Sequence, residues 1–357
     1  MIIRTGFWLM LVLPLLLSLA VSAREPGEGS TPVKNKQDAV NVSVWFASNR
    51  KRDAAESSAD AYTGERGKPH FGRCSVEFEP IPLMNHVAPE VSFHVPTETR
   101  EVTIASQTDD ERFWEGLTAA VEKSDSGTVV LFVHGYNYGF EKTCEMAAEM
   151  QRVLRGKAAV LMFSWPSNGL PTDYVSDQAD VEWSVSFLAD LLTQLGDRLG
   201  EANVQVLAHS LGSRGVLFAL QRLRAERGKK PVIGPLVLIA PDFDSQTFVD
   251  MLPEISSMTA GITLYASGND TPLKASRKLS GYPRLGEAGE FLTVTAGMET
   301  IDVSPAGRYQ IMGHEYFYFH PRVTADLVAL LVEGKPAAKR SGLRKRKHGG
   351  IPYWEIK

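Results

Sequence analysis

The sequence predicts an α/β fold in which helices flank a mostly parallel central sheet. Short apolar runs such as TVVLFV and VQVLAH lack the polar alternation of half-exposed strands, so we expect them to be buried on both faces of a sheet. Helix-like segments separate these runs, and such alternation is typical of βαβ units. The chain has 357 residues, enough for one large domain or two ordinary ones, and a β-rich part at residues 41–106 precedes the alternating part.

The predicted elements follow one another in a regular order. In the β-rich part, four short runs bounded by Pro, Gly or charges are interpreted as strands: NVSVWFASNR, CSVEFEP, VSFHVP and EVTIAS. Later strands are predicted at residues 128–134, 158–165, 204–209, 235–241 and 262–267, and helices at about 140–155, 175–199, 213–226 and 323–334. Ligands of open α/β sheets bind at the carboxyl ends of the strands, so the residues after each apolar run are the candidate site residues.

The first 23 residues have the pattern of a secretory signal peptide. One cation, Arg4, precedes an apolar run over residues 7–19, and small residues follow up to Ala23. The run is short for a bilayer core of roughly 30 Å, and Pro14 interrupts it, so we expect cleavage after Ala23 rather than a membrane anchor. The mature protein is then exported, to a periplasm or to the medium.

The two ends of the mature chain are polar. Residues 24–40 are rich in Gly, Pro and Ser and predict a flexible linker before one globular domain at residues 41–335. Residues 336–357 carry the basic cluster 344–347 and predict a disordered tail, with weak contact to an anionic envelope surface as the functional alternative. The net charge of −4 gives no indication of a nucleic-acid partner.

Neither a cofactor nor a metal is expected. The sequence contains no H-E-x-x-H or C-x-x-C spacing, and no Gly-rich phosphate loop follows the first strand of the alternating part. The two cysteines, Cys74 and Cys144, either form one disulfide or remain separate buried thiols. A chain of this length does not need the bridge to hold its core, so we favour separate thiols.

The segment VLAHSLG raises the possibility of a nucleophilic serine. It is close to G-x-S-x-G, the strand-to-helix turn that exposes a serine hydroxyl, except that Ala208 stands in the place of the first glycine. Alanine adds only a methyl group, and Gly212 keeps the second small position. The alternative for Ser210 is an ordinary helix cap. A buried strand before Ser210 and a helix after it favour the nucleophile.

An acid and a histidine follow Ser210 in the order that an α/β-hydrolase triad requires. The preferred acid is Asp270, in the tight turn SGNDTP, and the alternative acid is Asp242, after the preceding strand. The preferred histidine is His314, before an aromatic run. Serine needs a neutral imidazole to take its proton, and a carboxylate holds that imidazole in the correct tautomer.

Two backbone N–H groups are expected to form an oxyanion hole. One belongs to Leu211, directly after the nucleophile, and the other to the loop after TVVLFV, at Gly135 or Tyr136. The side chain of His134 is expected to orient that loop by hydrogen bonding. His209 is expected to point away from the serine.

Six motifs together resemble one known family. They are VWFASNR, FVHGYNYGFE, MFSWPSNG, AHSLGSR, APDFD and YASGNDTPLKASRKLSGYPRLG. In this order they resemble the α/β-hydrolase family filed as domain of unknown function 900, over roughly residues 41–332. The resemblance implies the α/β-hydrolase fold with Ser210, Asp270 and His314 at the triad positions. It implies no substrate, because the family is poorly characterised.

These observations predict an exported serine hydrolase that cleaves a small-molecule carboxylic ester through an acyl-enzyme on Ser210. A polar segment at residues 166–183, where an apolar lid would lie, favours a small or soluble ester. Several aromatic residues either line an acyl pocket or belong to the core: Phe140, Trp165, Tyr174, Trp183, Tyr282 and Tyr316. The alternatives are a binding protein that has lost catalysis and an amidase or peptidase with the same triad.

Overall fold

A computed structural model describes most of the chain after the predicted leader. The described residues are 39–53, 58–80, 98–307 and 313–357. The predicted signal peptide (1–23), nearly all of the predicted linker (24–40) and the predicted strand VSFHVP lie outside them. In the described part, no helix combines the length and the apolar character needed to cross a membrane.

Within the described ranges, eleven strands form one sheet. They are β1 (Val40–Arg52), β2 (Tyr62–Pro80), β3 (Glu98–Thr108), β4 (Val129–Val133), β5 (Ala159–Ser164), β6 (Val204–His209), β7 (Ile233–Ile239), β8 (Thr259–Ala266), β9 (Glu299–Asp302), β10 (Leu343–His348) and β11 (Ile351–Ile356). Their order across the sheet is β10-β11-β9-β8-β7-β6-β4-β5-β1-β2-β3. All pairings from β11 to β1 are parallel, and β2, β3 and β10 add antiparallel pairings at the two ends. The predicted fold class is confirmed.

Helices cover both faces of this sheet. They are α1 (Asp110–Lys123), α2 (Phe140–Leu154), α3 (Tyr174–Trp183), α4 (Val185–Leu199), α5 (Gly212–Arg227), α6 (Ser245–Ser256), α7 (Thr271–Ser280), α8 (Tyr316–Phe319) and α9 (Pro321–Leu331). The single helix predicted at 175–199 is two helices, because Ser184 interrupts it. The hydroxyl of Ser184 donates to the carbonyl of Asp180 at 2.8 Å, alongside the backbone N–H of Ser184 at 3.1 Å, and such a side-chain bond to residue i−4 often bends a helix.

The central strands are buried on both faces, which explains their continuous apolar sequences. Leu131 and Val133 of β4 belong to a core that includes residues of α1, α4 and α5. Val130 and Phe132 belong to a second core that includes residues of α2 and α9. Because both faces are covered, the candidate site is restricted to the ends of the strands.

The prediction of a disordered tail over residues 336–357 was wrong. Residues in this range form β10 and β11, and β11 pairs in parallel with β9. Trp354 and Ile356 are buried, and the guanidinium of Arg340 lies 2.7 Å from the carboxylate of Asp326. The basic cluster 344–347 is exposed on β10, at the sheet edge, where charged side chains discourage pairing with another chain. Its contact with an anionic surface stays a prediction.

The expectation of two separate thiols was also wrong. Cys74 of β2 and Cys144 of α2 form a disulfide that closes a sequence separation of 70 residues. The bridge joins β2, in the N-terminal part of the sheet, to a helix that packs on β5, β1 and β2. Nothing in the spacing of two cysteines indicates that their segments meet in space.

Removal of this disulfide is expected to lower the free energy of unfolding by about 2–4 kcal/mol. The reason is the restriction that a cross-link over 70 residues places on the unfolded chain. Urea unfolding of the Cys74→Ala/Cys144→Ala protein, compared with the oxidised wild type, measures the difference. Wild type treated with a reductant serves as the control and should lose a similar amount. Identical midpoints for all three samples would contradict the expectation.

Candidate functional site

Ser210 lies on a strained turn between β6 and α5. Its φ angle is +52°, in the left-handed region that non-glycine residues rarely occupy. Two hydrogen bonds hold the turn: Ser210 N–H donates to the carbonyl of Ile239 at 2.9 Å, and Asp242 N–H donates to the carbonyl of Ser210 at 3.1 Å. Such strain persists only where the surrounding structure enforces it, and it is frequent at functional sites.

Ser210 does not act as a helix cap. The residue at the cap position of α5 is Leu211, and no side chain there accepts a hydrogen bond from the first turn. The hydroxyl of Ser210 is therefore not used to begin the helix, and Ser210 lines a cavity.

Close contact between β4 and the turn explains the small residues around Ser210. A Cβ atom at Gly212 would lie 2.2 Å from the carbonyl oxygen of His134. A Cβ atom at Gly135 would lie 2.8 Å from the Cβ atom of Ser210. Ala208, in contrast, is buried in the core, and its methyl group fits there. The second glycine of the motif is thus required by packing here, and the first is not.

Asp270 and His314 are in direct contact. Nδ1 of His314 lies 2.6 Å from Oδ2 of Asp270, and the Asp270 side chain is fully buried. The other oxygen of Asp270 accepts a hydrogen bond from the N–H of Leu273 at 2.9 Å and so caps α7. Because capping fixes the carboxylate and Nδ1 is engaged with it, Nε2 is the ring nitrogen that remains for the cavity that His314 lines.

Asp242, the alternative acid, has other partners. Its Oδ1 accepts hydrogen bonds from Ser276 Oγ at 2.6 Å and from Arg284 Nε at 2.8 Å. Its Oδ2 accepts one from the hydroxyl of Tyr174 at 2.8 Å. Asp242 is therefore the anion of a buried ion pair with Arg284, and of the two candidate acids the structure brings Asp270 to His314.

The electrostatics around His314 favour its protonated form. Burial alone lowers the pKa of this imidazole, but the carboxylate of Asp270 and its hydrogen bond outweigh burial, with smaller contributions from Asp242 and Glu315. The pKa of His314 is therefore raised above its ordinary value. Burial raises the pKa of Asp270, and contact with His314 opposes this shift.

His209 packs directly against His314. Their ring centroids are 4.8 Å apart, and the ring of Phe317 lies at the same distance on another side of His209. Burial, together with the charge of His314, lowers the pKa of His209 well below its ordinary value. His209 is thus neutral and supports the His314 ring by packing, without adding a second positive charge beside it.

The oxyanion hole is predicted at the backbone N–H groups of Leu211 and of Gly135 or Tyr136. Among the described residues, the backbone N–H groups of Leu211 and Tyr136 donate no hydrogen bond to the protein. Contacts of His134 hold the loop that carries Tyr136. The ring of His134 stacks on Trp165 with centroids 4.7 Å apart. Trp165 Nε1 donates to the carbonyl of His134 at 2.8 Å, and Nδ1 of His134 lies 2.8 Å from the carbonyl of Gly135. This is the orienting role expected of His134.

A buried carboxylate that the sequence did not reveal holds the same loop from its other side. Asp177 of α3 accepts hydrogen bonds from Asn137 N–H at 3.3 Å, Asn168 N–H at 3.2 Å and Ser167 Oγ at 2.5 Å. Asp177 lies in the polar segment at residues 166–183, which contains several other carboxylates. Only tertiary structure distinguishes this aspartate from its exposed neighbours.

One cavity of about 510 Å³ opens beside these groups. Its walls include Ser210 and His314, the rings of Tyr136 and Tyr174, and the side chain of Leu279. Of the six aromatic residues that the sequence assigned either to an acyl pocket or to the core, Tyr174 lines this cavity. The others belong to the core or are exposed: Phe140, Trp165 and Tyr316 are buried, and Trp183 and Tyr282 are exposed. Within the described residues, no group of three or more His, Cys, Asp or Glu side chains is placed to hold a metal ion.

Comparisons with known proteins agree with this fold. The family model of α/β hydrolases of unknown function (DUF900) matches residues 109–331. Uncharacterized protein alr1448 of Nostoc sp. is 38% identical over 65 residues, which are 18% of this chain and 17% of that protein. The matched segment is therefore less than a fifth of the curated relative.

The solved structures that the comparison matched share little sequence with this chain. Lipase B of Aspergillus fumigatus matches with a TM-score of 0.39 and 16% identity, over 57% of this chain and 52% of that one. EstE5, in a crystal soaked with p-nitrophenyl butyrate, matches with a TM-score of 0.36 and 14% identity, over 73% of this chain and 80% of that one. The metagenomic carboxylesterase EstE1 matches with a TM-score of 0.34 and 14% identity, over 75% of this chain and 84% of that one. The chain spans about half the length of the lipase, and no activity is transferred from any of these proteins.

Proposed function

We propose that this chain, which belongs to the family of α/β hydrolases of unknown function (DUF900), is a serine hydrolase that cleaves a carboxylic ester through an acyl-enzyme on Ser210. One observation carries the proposal. The strained Ser210 lines the same cavity as His314, and the buried carboxylate of Asp270 holds the imidazole of His314 from behind. Strained backbone is frequent at functional sites, and here it lies beside a histidine paired with a carboxylate, which supports an enzyme over a binding protein.

The proposed reaction begins with proton transfer. Neutral His314 takes the proton of the Ser210 hydroxyl through Nε2 while the oxygen attacks the ester carbonyl, and Asp270 stabilises the imidazolium that forms. The N–H groups of Leu211 and Tyr136 donate to the oxyanion, a contribution often worth about 3 kcal/mol per donor. The intermediate collapses when the C–O bond to the alcohol breaks and His314 returns the proton to the leaving oxygen. A water molecule then hydrolyses the acyl-enzyme by the same steps.

The cavity supports a substrate of modest size. Its volume of about 510 Å³ lies within the range of roughly 300–1,000 Å³ of small-molecule sites. Tyrosine rings and leucine provide apolar wall, and the hydroxyl of Tyr174 is already engaged with Asp242. These features support a small acyl ester rather than a long polymeric chain.

We propose that the mature chain is exported, to a periplasm or to the medium. The N-terminal pattern that ends at Ala23 supports it. The disulfide between Cys74 and Cys144 also supports it, because such bridges persist mainly in oxidising compartments.

Labelling and hydrolysis with the purified full chain test the proposed function. A fluorophosphonate probe should form a phosphorus–oxygen bond with loss of fluoride, and peptide mapping should locate the label at Ser210. p-Nitrophenyl acetate and butyrate should be hydrolysed with an initial burst, and the matched p-nitroanilides much more slowly. Faster turnover of the anilides would make the protein an amidase. No label and no turnover would leave the binding-protein alternative.

The pH profile of hydrolysis is expected to show an acidic limb above the ordinary imidazole pKa of about 6.5. Only neutral His314 accepts the serine proton, and the raised pKa of His314 keeps it protonated to higher pH. Thus kcat/KM should rise as pH increases through that pKa. Measurement of kcat/KM between pH 5 and 9 with a neutral ester locates the limb. In Asp270→Asn the carboxylate is gone while burial remains, so the residual limb should move to lower pH. A wild-type limb at or below 6.5 would contradict the assigned electrostatics.

A further inference from the structure

Arg50 is a fully buried arginine near the end of β1, remote in sequence from every candidate site residue. Its Nε donates a hydrogen bond to Ser164 Oγ at 2.8 Å. One terminal nitrogen donates to the carbonyl of Ser167 at 2.7 Å, and the other donates to the carbonyl of Tyr138 at 2.7 Å. One guanidinium group thus binds segments that follow two different strands.

These acceptors include both loops beside the predicted oxyanion hole. Tyr138 ends the loop after β4, which carries the N–H groups of Gly135 and Tyr136. Ser167 lies in the loop after β5, next to Trp165, which holds the carbonyl of His134. A planar fork of five donors reaches such divergent acceptors, whereas the single ammonium of lysine cannot replace it.

The charge of Arg50 survives its burial. Desolvation lowers the pKa of the guanidinium to about 9, and the carboxylates of Asp177 and Asp180 oppose the shift. Arg50 is therefore a cation at neutral pH in a region of low dielectric constant. Asp177 accepts from Asn137 N–H, so a cation and an anion flank the same loop. Burial of an arginine is expensive, and an apolar residue often serves stability as well or better.

We infer that Arg50 is a positioning residue for the oxyanion-binding loop: it fixes the backbone around Tyr136 and holds a positive charge behind the loop where negative charge develops in the transition state. The inference rests on the proposed function. It also gives a role to the β-rich N-terminal part of the chain, because Arg50 lies outside residues 109–331 that the family model matches.

Three variants separate positioning from stability. Arg50→Met removes the fork and the charge, and Arg50→Lys keeps the charge alone. The matched control is Arg340→Met, because Arg340 is also buried and hydrogen bonded, but to the carboxylates of Asp326 and Glu299 and not to the loops after β4 and β5. For each protein, kcat and KM for p-nitrophenyl butyrate are measured with the melting temperature. The inhibition constant of a phenylboronic acid, whose adduct with serine is a tetrahedral anion, is measured in parallel.

A positioning role predicts a loss in the transition state rather than in substrate binding. For Arg50→Met, kcat should fall about 10²-fold with KM within about threefold, and the boronate should bind weaker by a similar factor. Arg50→Lys should lose about tenfold and so be a partial rescue. Arg340→Met should lower the melting temperature but keep kcat within about threefold.

Two outcomes would overturn the inference. The first is an Arg50→Met protein whose kcat and boronate affinity fall no more than those of Arg340→Met. The second applies if Arg50→Met does not fold: Arg50→Lys would then decide, and a folded lysine variant with wild-type kcat would remove the role. An inactive wild type would instead overturn the proposed function, and the inference with it.

Discussion

Replacement of Ser210 by alanine is expected to reduce kcat for ester hydrolysis by about 10⁵–10⁶-fold and to abolish fluorophosphonate labelling. The acyl-enzyme cannot form without the hydroxyl, so only the binding of substrate and the oxyanion donors would remain to assist a water molecule. The variant should fold like the wild type, because alanine has the same backbone restrictions at φ +52° and loses only an oxygen that caps no helix.

Ser213→Ala provides the matched control for this substitution. Ser213 lies three residues further along the chain, in the first turn of α5, and its buried hydroxyl donates to the carbonyl of Ala208 at 3.3 Å. It should retain kcat within about threefold and should label normally. A Ser210→Ala protein that keeps more than about one hundredth of kcat, or that still takes the label, would move the nucleophile to another residue.

The parts of the fold that the sequence predicted are those whose pattern is local. The strands β4 to β8 are continuous apolar runs because helices cover both of their faces, and that cause acts on each run separately. The edge hairpin was missed for the opposite reason. The strand β10 is exposed and basic, and its buried partners, such as Trp354, lie on the next strand. Charge suited to an open edge has the same composition as a disordered tail.

The candidate site divides in the same way. Ser210 has a recognisable sequence because the turn itself demands small neighbours such as Gly212. Arg50 and Asp177 have no such signal, since their acceptors and donors lie on loops brought together by sheet order. The pairing of Cys74 with Cys144 likewise depends on how α2 packs against β2. Chain order alone also left two acids open, because β7 and β8 are neighbours in the sheet and both end near the site.

The substitution Asp270→Asn is expected to lower kcat for ester hydrolysis by about 10⁴-fold. The amide retains an oxygen that can accept from Leu273 N–H, so the cap of α7 is kept and the fold should survive. Its remaining amide hydrogens face Nδ1 of His314, which favours the tautomer that carries its proton on Nε2. That tautomer cannot take the proton of Ser210, and no carboxylate is left to stabilise the imidazolium.

The matched control for Asp270→Asn is Asp242→Asn, which tests the other candidate acid. Asp242 lines the same cavity but neutralises Arg284, so its substitution weakens a buried ion pair and is expected to lower the free energy of unfolding by about 3 kcal/mol. Its effect on kcat should stay within about tenfold. When both quantities are measured on the same preparations, Asp270→Asn should therefore mainly lower kcat, and Asp242→Asn should mainly lower the free energy of unfolding. Equal and mild losses of kcat would mean that neither carboxylate orients His314, whereas a large loss in Asp242→Asn alone would make Asp242 the acid.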